Sequence, residues 1–164
     1  MLVTERMTRQ PVTIPEDTTV PEALKIMRER KVRRLPILDA KGKLIGIVSE
    51  KDLVYASPSP ATTLSIYEMQ YLLSRITVRE VMTTDVITIN EDAALEEAAR
   101  IMIDHRIGGL PVMRGAELVG IITETDIFKT FLELLGGREH GVRLTVLVRD
   151  QRGVLCSLTE RIAG

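Results

Sequence analysis

The sequence predicts an α/β (α+β) protein made of two pseudo-symmetric domains, each folded as strand, helix, strand, strand, helix. The first observation is an internal repeat: Met7–Leu38 aligns with Met82–Met113 without a gap, and 12 of 32 aligned positions are identical. The second is the period, 75 residues, which exceeds the ~20–50 residues of solenoid repeats and indicates a small domain. The third is that both copies switch from strand-like to helix-like periodicity in the same order. Two such units predict a paired body with sites in the clefts between the copies.

Composition is that of a globular protein with an aliphatic core. The 164 residues are 45% hydrophobic and 27% charged, and the net charge is −1. This balance gives no general attraction to nucleic acid or to an anionic membrane. No apolar run approaches the ~18–20 residues that span a bilayer, and no signal peptide begins the chain, so we expect a cytoplasmic location. The single cysteine, Cys156, excludes an intrachain disulfide and a thiolate metal site.

Each copy opens with a short β-branched strand, Val12–Ile14 or Val86–Ile89, and a turn residue closes it. A helix follows. In the first copy, Thr19–Glu22 has the pattern of a capping box with proline in the first turn. The counterpart helix starts near Ala94 without a good cap. Apolar residues fall at helical spacing in both, which predicts one buried face on each helix.

The second half of each copy predicts a β-hairpin and a second helix. In the first copy Leu35–Leu38 and Leu44–Val48 flank a turn. The second helix begins at Ser49 or at its counterpart Thr123, each followed by an acidic first turn. After the second copy, residues 127–135 form an apolar helix stopped by glycines, and this much apolar surface suggests a dimer contact.

Taken together, these motifs resemble a tandem pair of CBS domains, the regulatory unit called a Bateman module. The resemblance runs from about Val3 to Leu135 and rests on the Met-Thr starts, the Glu-Ala helices, the Leu-Pro strands and a Gly-h-h-Ser/Thr-x-x-Asp signature, h being apolar. That signature occurs at Gly46–Asp52 and again at Gly120–Asp126. The layout also resembles acetoin-utilisation-type CBS–ACT proteins. The predicted boundaries are residues 1–56 for the first CBS domain, 57–77 for an inserted linker, 78–135 for the second CBS domain and 141–164 for an incomplete ACT-like segment.

The linker and the C-terminal segment break the repeat. In the linker, Ser65–Leu73 predicts a short amphipathic helix whose Tyr67 and Tyr71 cover an adenine pocket or a partner surface, or merely pack on the module. At the C-terminus, Val142–Val148 alternates like a strand and a helix follows Gly153, as at the start of an ACT domain. One strand and one helix cannot bury a core alone, so we expect this tail to be disordered, or packed on the module or a neighbouring chain.

The signature has a chemistry of its own. Ser49 and Thr123 stand where a strand turns into a helix, so a hydroxyl and backbone N–H groups can meet a phosphate. Asp52 and Asp126 follow one helical turn later and can accept two hydrogen bonds from vicinal hydroxyls such as those of a ribose. In CBS proteins the matching Asp holds the ribose and the Ser/Thr approaches the phosphate. The alternative is that Ser49 and Thr123 are ordinary helix N-caps and the aspartates are solvated first-turn acids.

A basic run, Arg28–Arg34, precedes the first Leu-Pro strand. Most such runs are solvated faces, but CBS domains often direct basic side chains to phosphates from the positions of Arg33 and Arg34. The second copy has Gly108–Gly109 there, so we expect non-equivalent clefts, the more phosphorylated ligand lying near the arginines. We expect His105 to be a surface or helix-end residue rather than a nucleotide contact.

No nucleophile–base set, metal-ligand cluster or phosphate-binding glycine loop is present, so we predict no enzyme, no catalytic residue and no metal site. The resemblance implies a regulatory module that binds AMP, ADP, ATP, S-adenosylmethionine or an NAD-type ligand, signals through a homodimer and acts on a regulated enzyme. The alternatives are a dimerisation scaffold with empty clefts that positions ACT domains or a partner enzyme, and, more remotely, nucleic-acid binding through the basic run. The candidate binding residues are Thr13, Arg33, Arg34, Pro36, Ser49, Asp52, Thr88, Gly109, Pro111, Thr123 and Asp126.

Overall fold

The order of helices and strands in the computed structural model follows the repeat. The structure describes residues 1–56, 75–137, 145–148 and 151–163. The predictions for the linker helix, with Tyr67 and Tyr71, lie outside these ranges. The described residues form two units, Met1–Phe131 and Leu132–Gly164, and the first contains nearly all of both copies.

Each copy contributes the predicted strand, helix, strand, strand, helix, preceded by one turn of 3-10 helix at Val3–Glu5 or Val78–Glu80. The strands in the described ranges are β1 (Thr8–Arg9), β2 (Ile14–Pro15), β3 (Arg34–Leu38), β4 (Leu44–Ser49), β5 (Ile89–Asn90), β6 (Gly109–Arg114) and β7 (Glu117–Thr123). The helices are α1 (Val20–Arg30), α2 (Glu50–Tyr55), α3 (Leu95–His105), α4 (Glu124–Leu134) and α5 (Val154–Ala163). None of these helices has the length and apolar character required to cross a membrane.

The two sheets are built alike. In the first, β2 runs parallel to β3 and β3 pairs antiparallel with β4, which confirms the predicted hairpin. In the second, β5 is parallel to β6 and β6 is antiparallel to β7. The opening strands begin later than predicted, at Ile14 and Ile89, and span two residues each. The second sheet has one further strand, β1, which comes from the first copy and pairs antiparallel with β7.

The N-terminal segments of the two copies are exchanged. We call residues 1–9 the first arm and residues 76–84 the second arm. The first arm packs Val3 and Met7 into the core of the second copy, and the second arm packs Val78 and Met82 into the core of the first. Each arm therefore completes the hydrophobic core of the other copy.

This exchange also determines how the first helix of each copy begins. Thr19 is the N-cap of α1 but its side chain makes no capping hydrogen bond, so the capping box predicted at Thr19–Glu22 is wrong. Instead, the Val20 N–H donates to the Ile76 carbonyl at 3.0 Å. In the same way the Leu95 N–H of α3 donates to the Met1 carbonyl at 3.0 Å. The backbone of the opposite arm thus satisfies the first N–H group of each helix, and the sequence pattern did not predict this contact.

The C-terminal unit agrees only in part with its prediction. The helix after Gly153 is present as α5. The strand predicted over Val142–Val148 is not formed at Thr145–Val148, the part of it that the structure describes. Leu147 is fully exposed there. No strand in the described ranges pairs with this segment, and a strand without a hydrogen-bonded neighbour gains nothing from an extended conformation.

Candidate functional site

In both signature turns the aspartate accepts hydrogen bonds from the Ser or Thr that precedes the helix. The Ser49 N–H and Oγ donate to Asp52 Oδ2 at 2.8 and 2.7 Å, and the Asp52 N–H donates back to Ser49 Oγ at 3.3 Å. In the second copy, the Thr123 N–H and Oγ1 donate to Asp126 Oδ2 at 3.0 and 2.6 Å. The Ser49 hydroxyl therefore caps α2, and both aspartates accept the N–H and the hydroxyl of their Ser or Thr. These bonds occupy only one oxygen of each carboxylate and leave the other oxygen for a second partner.

A cavity of about 580 Å³ opens beside the first signature turn and is walled by both copies. Its size lies within the range of small-molecule sites. From the first copy it is lined by Arg33, Arg34, Ile47, Ser49, Glu50, Lys51, Asp52 and Tyr55. From the second copy it is lined by Thr83, Asp85, Val86, Ile87, Arg106, Ile107, Gly108, Gly109, Pro111 and Glu124.

The two arginines reach across the cleft to the second copy. Arg33 Nη2 donates to Thr125 Oγ1 at 3.2 Å. The Arg34 side chain lies over the glycine pair: its Cδ is 3.2 Å from the position that a Cβ at Gly109 would take, and its guanidinium would collide with a Cβ at Gly108. Gly108 and Gly109 therefore leave room for the arginine of the opposite copy, which gives a physical reason for glycines at the positions equivalent to Arg33 and Arg34.

The pKa of Arg34 is lowered from its ordinary value. Burial lowers the pKa of its guanidinium, the Glu124 carboxylate raises it, Arg33 lowers it further and Asp52 raises it. An arginine pKa is so high that the group stays charged at neutral pH. The side chain is therefore a half-buried cation close to Asp52, in a position to meet an anionic group on a ligand whose hydroxyls contact that aspartate.

Six of the predicted residues meet in this cavity: Arg33, Arg34, Ser49, Asp52, Gly109 and Pro111. The other predicted residues do not line it. Thr123 and Asp126 form the equivalent turn of the second copy, Pro36 is fully buried, and Thr13 and Thr88 directly precede β2 and β5. His105 is the exposed last residue of α3 and does not line the cavity either.

Sequence reasoning missed most of the second-copy wall. Thr83 lies near the end of the second arm, Asp85 and Val86 follow the arm, and Arg106 and Glu124 lie at the end of α3 and the start of α4. The repeat predicts that the two copies face each other. It does not predict that residues in and next to the second arm line the cavity beside the signature turn of the first copy. No group of three or more metal-ligating side chains suited to an ion occurs in the described ranges.

Comparison with known sequences identifies related proteins. The sequence profile of the family described as the CBS domain matches the chain twice, at residues 3–59 and 78–133. An uncharacterized protein of Methanocaldococcus jannaschii is 35% identical over 138 residues, which are 82% of this chain but 33% of the relative. A CBS domain-containing protein of Dictyostelium discoideum is 32% identical over 136 residues, 82% of this chain and 94% of the relative. The chain thus corresponds to part of one relative and to nearly all of the other.

Solved structures of similar fold include proteins with bound ligands. A protein assigned to acetoin utilization (AcuB) from Vibrio cholerae has a TM-score of 0.68 and 36% identity, covering 87% of this chain and 98% of that one. The CBS domain pair of protein MJ0100, in complex with 5′-methylthioadenosine and S-adenosyl-L-methionine, has a TM-score of 0.67 and 31% identity, with 85% and 98% coverage. CBSX2 in complex with AMP has a TM-score of 0.67 and 28% identity, with 82% and 98% coverage.

Proposed function

The chain belongs to the CBS-domain family, and on that premise we propose that it is a non-enzymatic sensor of adenosine-containing ligands. The observation that carries the proposal is the cavity that brings Asp52 and Arg34 together between the two copies. The ligands considered are AMP, ADP, ATP, S-adenosylmethionine and NAD-type compounds. The two similar structures that hold AMP, or 5′-methylthioadenosine with S-adenosyl-L-methionine, support this class of ligand.

The polar groups of the cavity match the parts of an adenosine ligand. Asp52 uses Oδ2 for the helix cap, and within the part of the chain that the structure describes Oδ1 takes part in none of its hydrogen bonds. This free oxygen is suited to accept hydrogen bonds from the ribose hydroxyls. Arg34 offers a planar set of donors to a phosphate or carboxylate at the 5′ end. Val86 and Ile87 supply apolar wall for the base.

Ligand binding is proposed to act through a homodimer that controls a partner enzyme. Helix α4 begins at the second signature turn and exposes Phe128 and Phe131, which are 67% and 55% accessible. Exposed aromatic residues on one helix are suited to a self-association surface. A ligand changes the dimer only if its affinity differs between two arrangements of the modules. The cavity touches α4 at Glu124, so a ligand there reaches the helix that carries this surface.

The test is calorimetric titration of the purified protein with AMP, ADP, ATP, S-adenosylmethionine and 5′-methylthioadenosine. We expect at least one of them to bind and Asp52→Ala to abolish that binding. Asp126→Ala is the matched control because both aspartates make the same capping bonds. Each substitution therefore removes the same two hydrogen bonds at a helix start, at a cost of about 1 kcal/mol per bond in stability. A difference in affinity between the two variants then reports on the ligand site.

Two results contradict the proposal. Binding that Asp52→Ala leaves intact would show that the cavity is not the site. No binding by any of these compounds at millimolar concentration, together with a stable dimer in sedimentation, would favour the scaffold alternative, in which the exposed face of α4 brings partner domains together without a ligand.

A further inference from the structure

The cavity beside Asp52 is balanced in charge. Among the described residues its lining includes four basic side chains, Arg33, Arg34, Lys51 and Arg106, and four acidic ones, Glu50, Asp52, Asp85 and Glu124. The sequence directs attention to the arginines, which predict a preference for phosphate-rich ligands. The acids oppose that preference, so their positions decide how much negative charge the cavity accepts.

Glu124, one of the four acids in the described lining of the cavity, lies close to the guanidinium of Arg34. Its Oε2 lies 2.9 Å from the position that a Cβ at Gly108 would take, and the guanidinium of Arg34 contacts the same position. The carboxylate and the guanidinium therefore converge over Gly108. Glu124 also exerts the strongest charge interaction on Arg34, ahead of those from Arg33 and Asp52. Part of the positive charge of Arg34 is thus compensated before any ligand binds.

Arg33, the other arginine that lines the cavity from the first copy, also contacts the first turn of α4. Arg33 Nη2 donates to the hydroxyl of Thr125, the residue after Glu124. Both arginines of the first copy therefore face the first turn of α4, which the second copy provides. A ligand with several phosphates would have to draw both arginines away from this turn and would bring its own charge next to Glu124.

We propose that Glu124 is a specificity-determining residue that makes this cavity prefer adenosine ligands with a neutral or weakly charged 5′ group over di- and triphosphates. The inference rests on the proposed function and adds the charge class of the ligand. A single anionic group is matched by Arg34. Each further negative charge lies near the Glu124 carboxylate, and the three remaining basic side chains in the described lining of the cavity are matched in number by three further acids. Like charges at short range disfavour binding.

The experiment compares adenosine, AMP and ATP by calorimetry at fixed ionic strength, on the full chain and on Glu124→Gln. We expect wild-type protein to bind AMP more tightly than ATP. In Glu124→Gln we expect the affinity for ATP to rise by about threefold or more relative to adenosine, since one partly solvated charge is removed. Glu50→Gln is the matched control: it removes one acid from the same cavity, at the equivalent position of the first copy, without being among the charges that act on Arg34.

Three outcomes would overturn the inference and leave the proposed function standing. The first is wild-type protein that binds ATP more tightly than AMP, and the second is a ratio of ATP affinity to adenosine affinity that Glu124→Gln leaves unchanged. The third is an equal gain in ATP affinity in Glu50→Gln, which would mean that the total charge of the cavity matters and the position of the acid does not. If wild-type protein binds none of these three compounds and none of the other ligands titrated above, the proposed function fails and the inference fails with it. Circular dichroism of both variants checks that the fold is intact, which we expect because both side chains are exposed.

Discussion

The two signature aspartates have the same local bonds but different neighbours one helical turn later. Asp126 Oδ1 lies 3.9 Å from Lys129 Nζ, so a cation of the protein already faces the oxygen that the helix cap leaves free. At the equivalent position the first copy has Tyr55, which lines the cavity. Asp52 therefore has an oxygen free for a ligand, and Asp126 has a competing internal partner. This difference is the residue-level reason for assigning the ligand to the Asp52 side.

Glu91 carries a prediction about the pH dependence of stability. Arg114 donates from Nε and from Nη2 to its carboxylate, the Nη2 bond being 2.8 Å long. The hydrogen bonds from Arg114 hold the pKa of Glu91 below its ordinary value of 4.5. A lowered pKa in the folded state stabilises the protein above the unfolded pKa, and this contribution is lost as the pH falls through the folded value. We therefore expect the free energy of unfolding to decrease in acid below about pH 4.5.

Urea unfolding between pH 7 and pH 3 measures this effect. Glu91→Gln should be less stable than wild type at pH 7 and should show a flatter dependence on pH. Glu16→Gln is the control because Glu16 pairs with Arg79 at 3.0 Å at the equivalent place of the first copy, with a side chain 32% exposed against 11% for Glu91. If both variants changed the pH dependence of the unfolding free energy equally, the effect would come from the loss of any negative charge and not from the pair of Glu91 and Arg114.

At the scale of elements, a glycine in each hairpin receives the methionine of the opposite arm. A Cβ at Gly46 would collide with Met82 Sδ, and a Cβ at Gly120 would collide with Met7 Sδ. The two sites differ in one respect: at Gly120 the backbone carbonyl of Thr8, in β1, is also only 3.1 Å away. A methionine side chain can move, whereas the carbonyl of a paired strand is fixed by the sheet.

We therefore predict that Gly120→Ala costs about 1–3 kcal/mol of unfolding free energy through overpacking, and that Gly46→Ala costs less. Chemical denaturation of the two variants makes the comparison. Combining Gly120→Ala with Met7→Ala should not restore stability, because the Thr8 carbonyl remains in the way. If Gly46→Ala and Gly120→Ala lost the same unfolding free energy, the contact with the methionine would account for the whole cost and the Thr8 carbonyl would add nothing.

The sequence predicted the elements inside each copy better than the contacts between copies. The hairpin around residues 39–43 follows from local alternation and turn residues, and it was predicted correctly. The capping box at Thr19 was wrong because the Thr19 side chain makes no capping hydrogen bond. The Val20 N–H instead donates to Ile76, far along the chain, and local spacing cannot predict that contact. The pairing of β1 with β7 was not predicted either. A two-residue strand carries too little periodicity to specify its partner.

At the scale of the whole molecule, the part of the site inside one copy was again easier to predict than the part that depends on contacts between the copies. The signature and the arginine pair could be recognised from residue type and spacing, and they form the first-copy wall of the cavity. Asp85 belongs to no motif and Glu124 stands at a variable position of the second signature, so their role depends on how the second copy faces the first. The exchange of arms makes this arrangement obligatory, because neither core is complete without a segment from the other copy.

The exchange predicts that the two copies unfold together. Val3 and Val78 are fully buried, each in the core of the opposite copy. Truncating either one to alanine should cost about 2 kcal/mol, and amides in β3 and in β6 should lose protection together. Hydrogen exchange on the full chain measures this for Val3→Ala and for Val78→Ala, with the exposed Val54→Ala as the control. If Val3→Ala opened the second copy while β3 kept its wild-type protection, the copies would be independent folding units. A ligand in the shared cavity stabilises walls from both copies, so in a cooperative body its binding should slow exchange in both sheets.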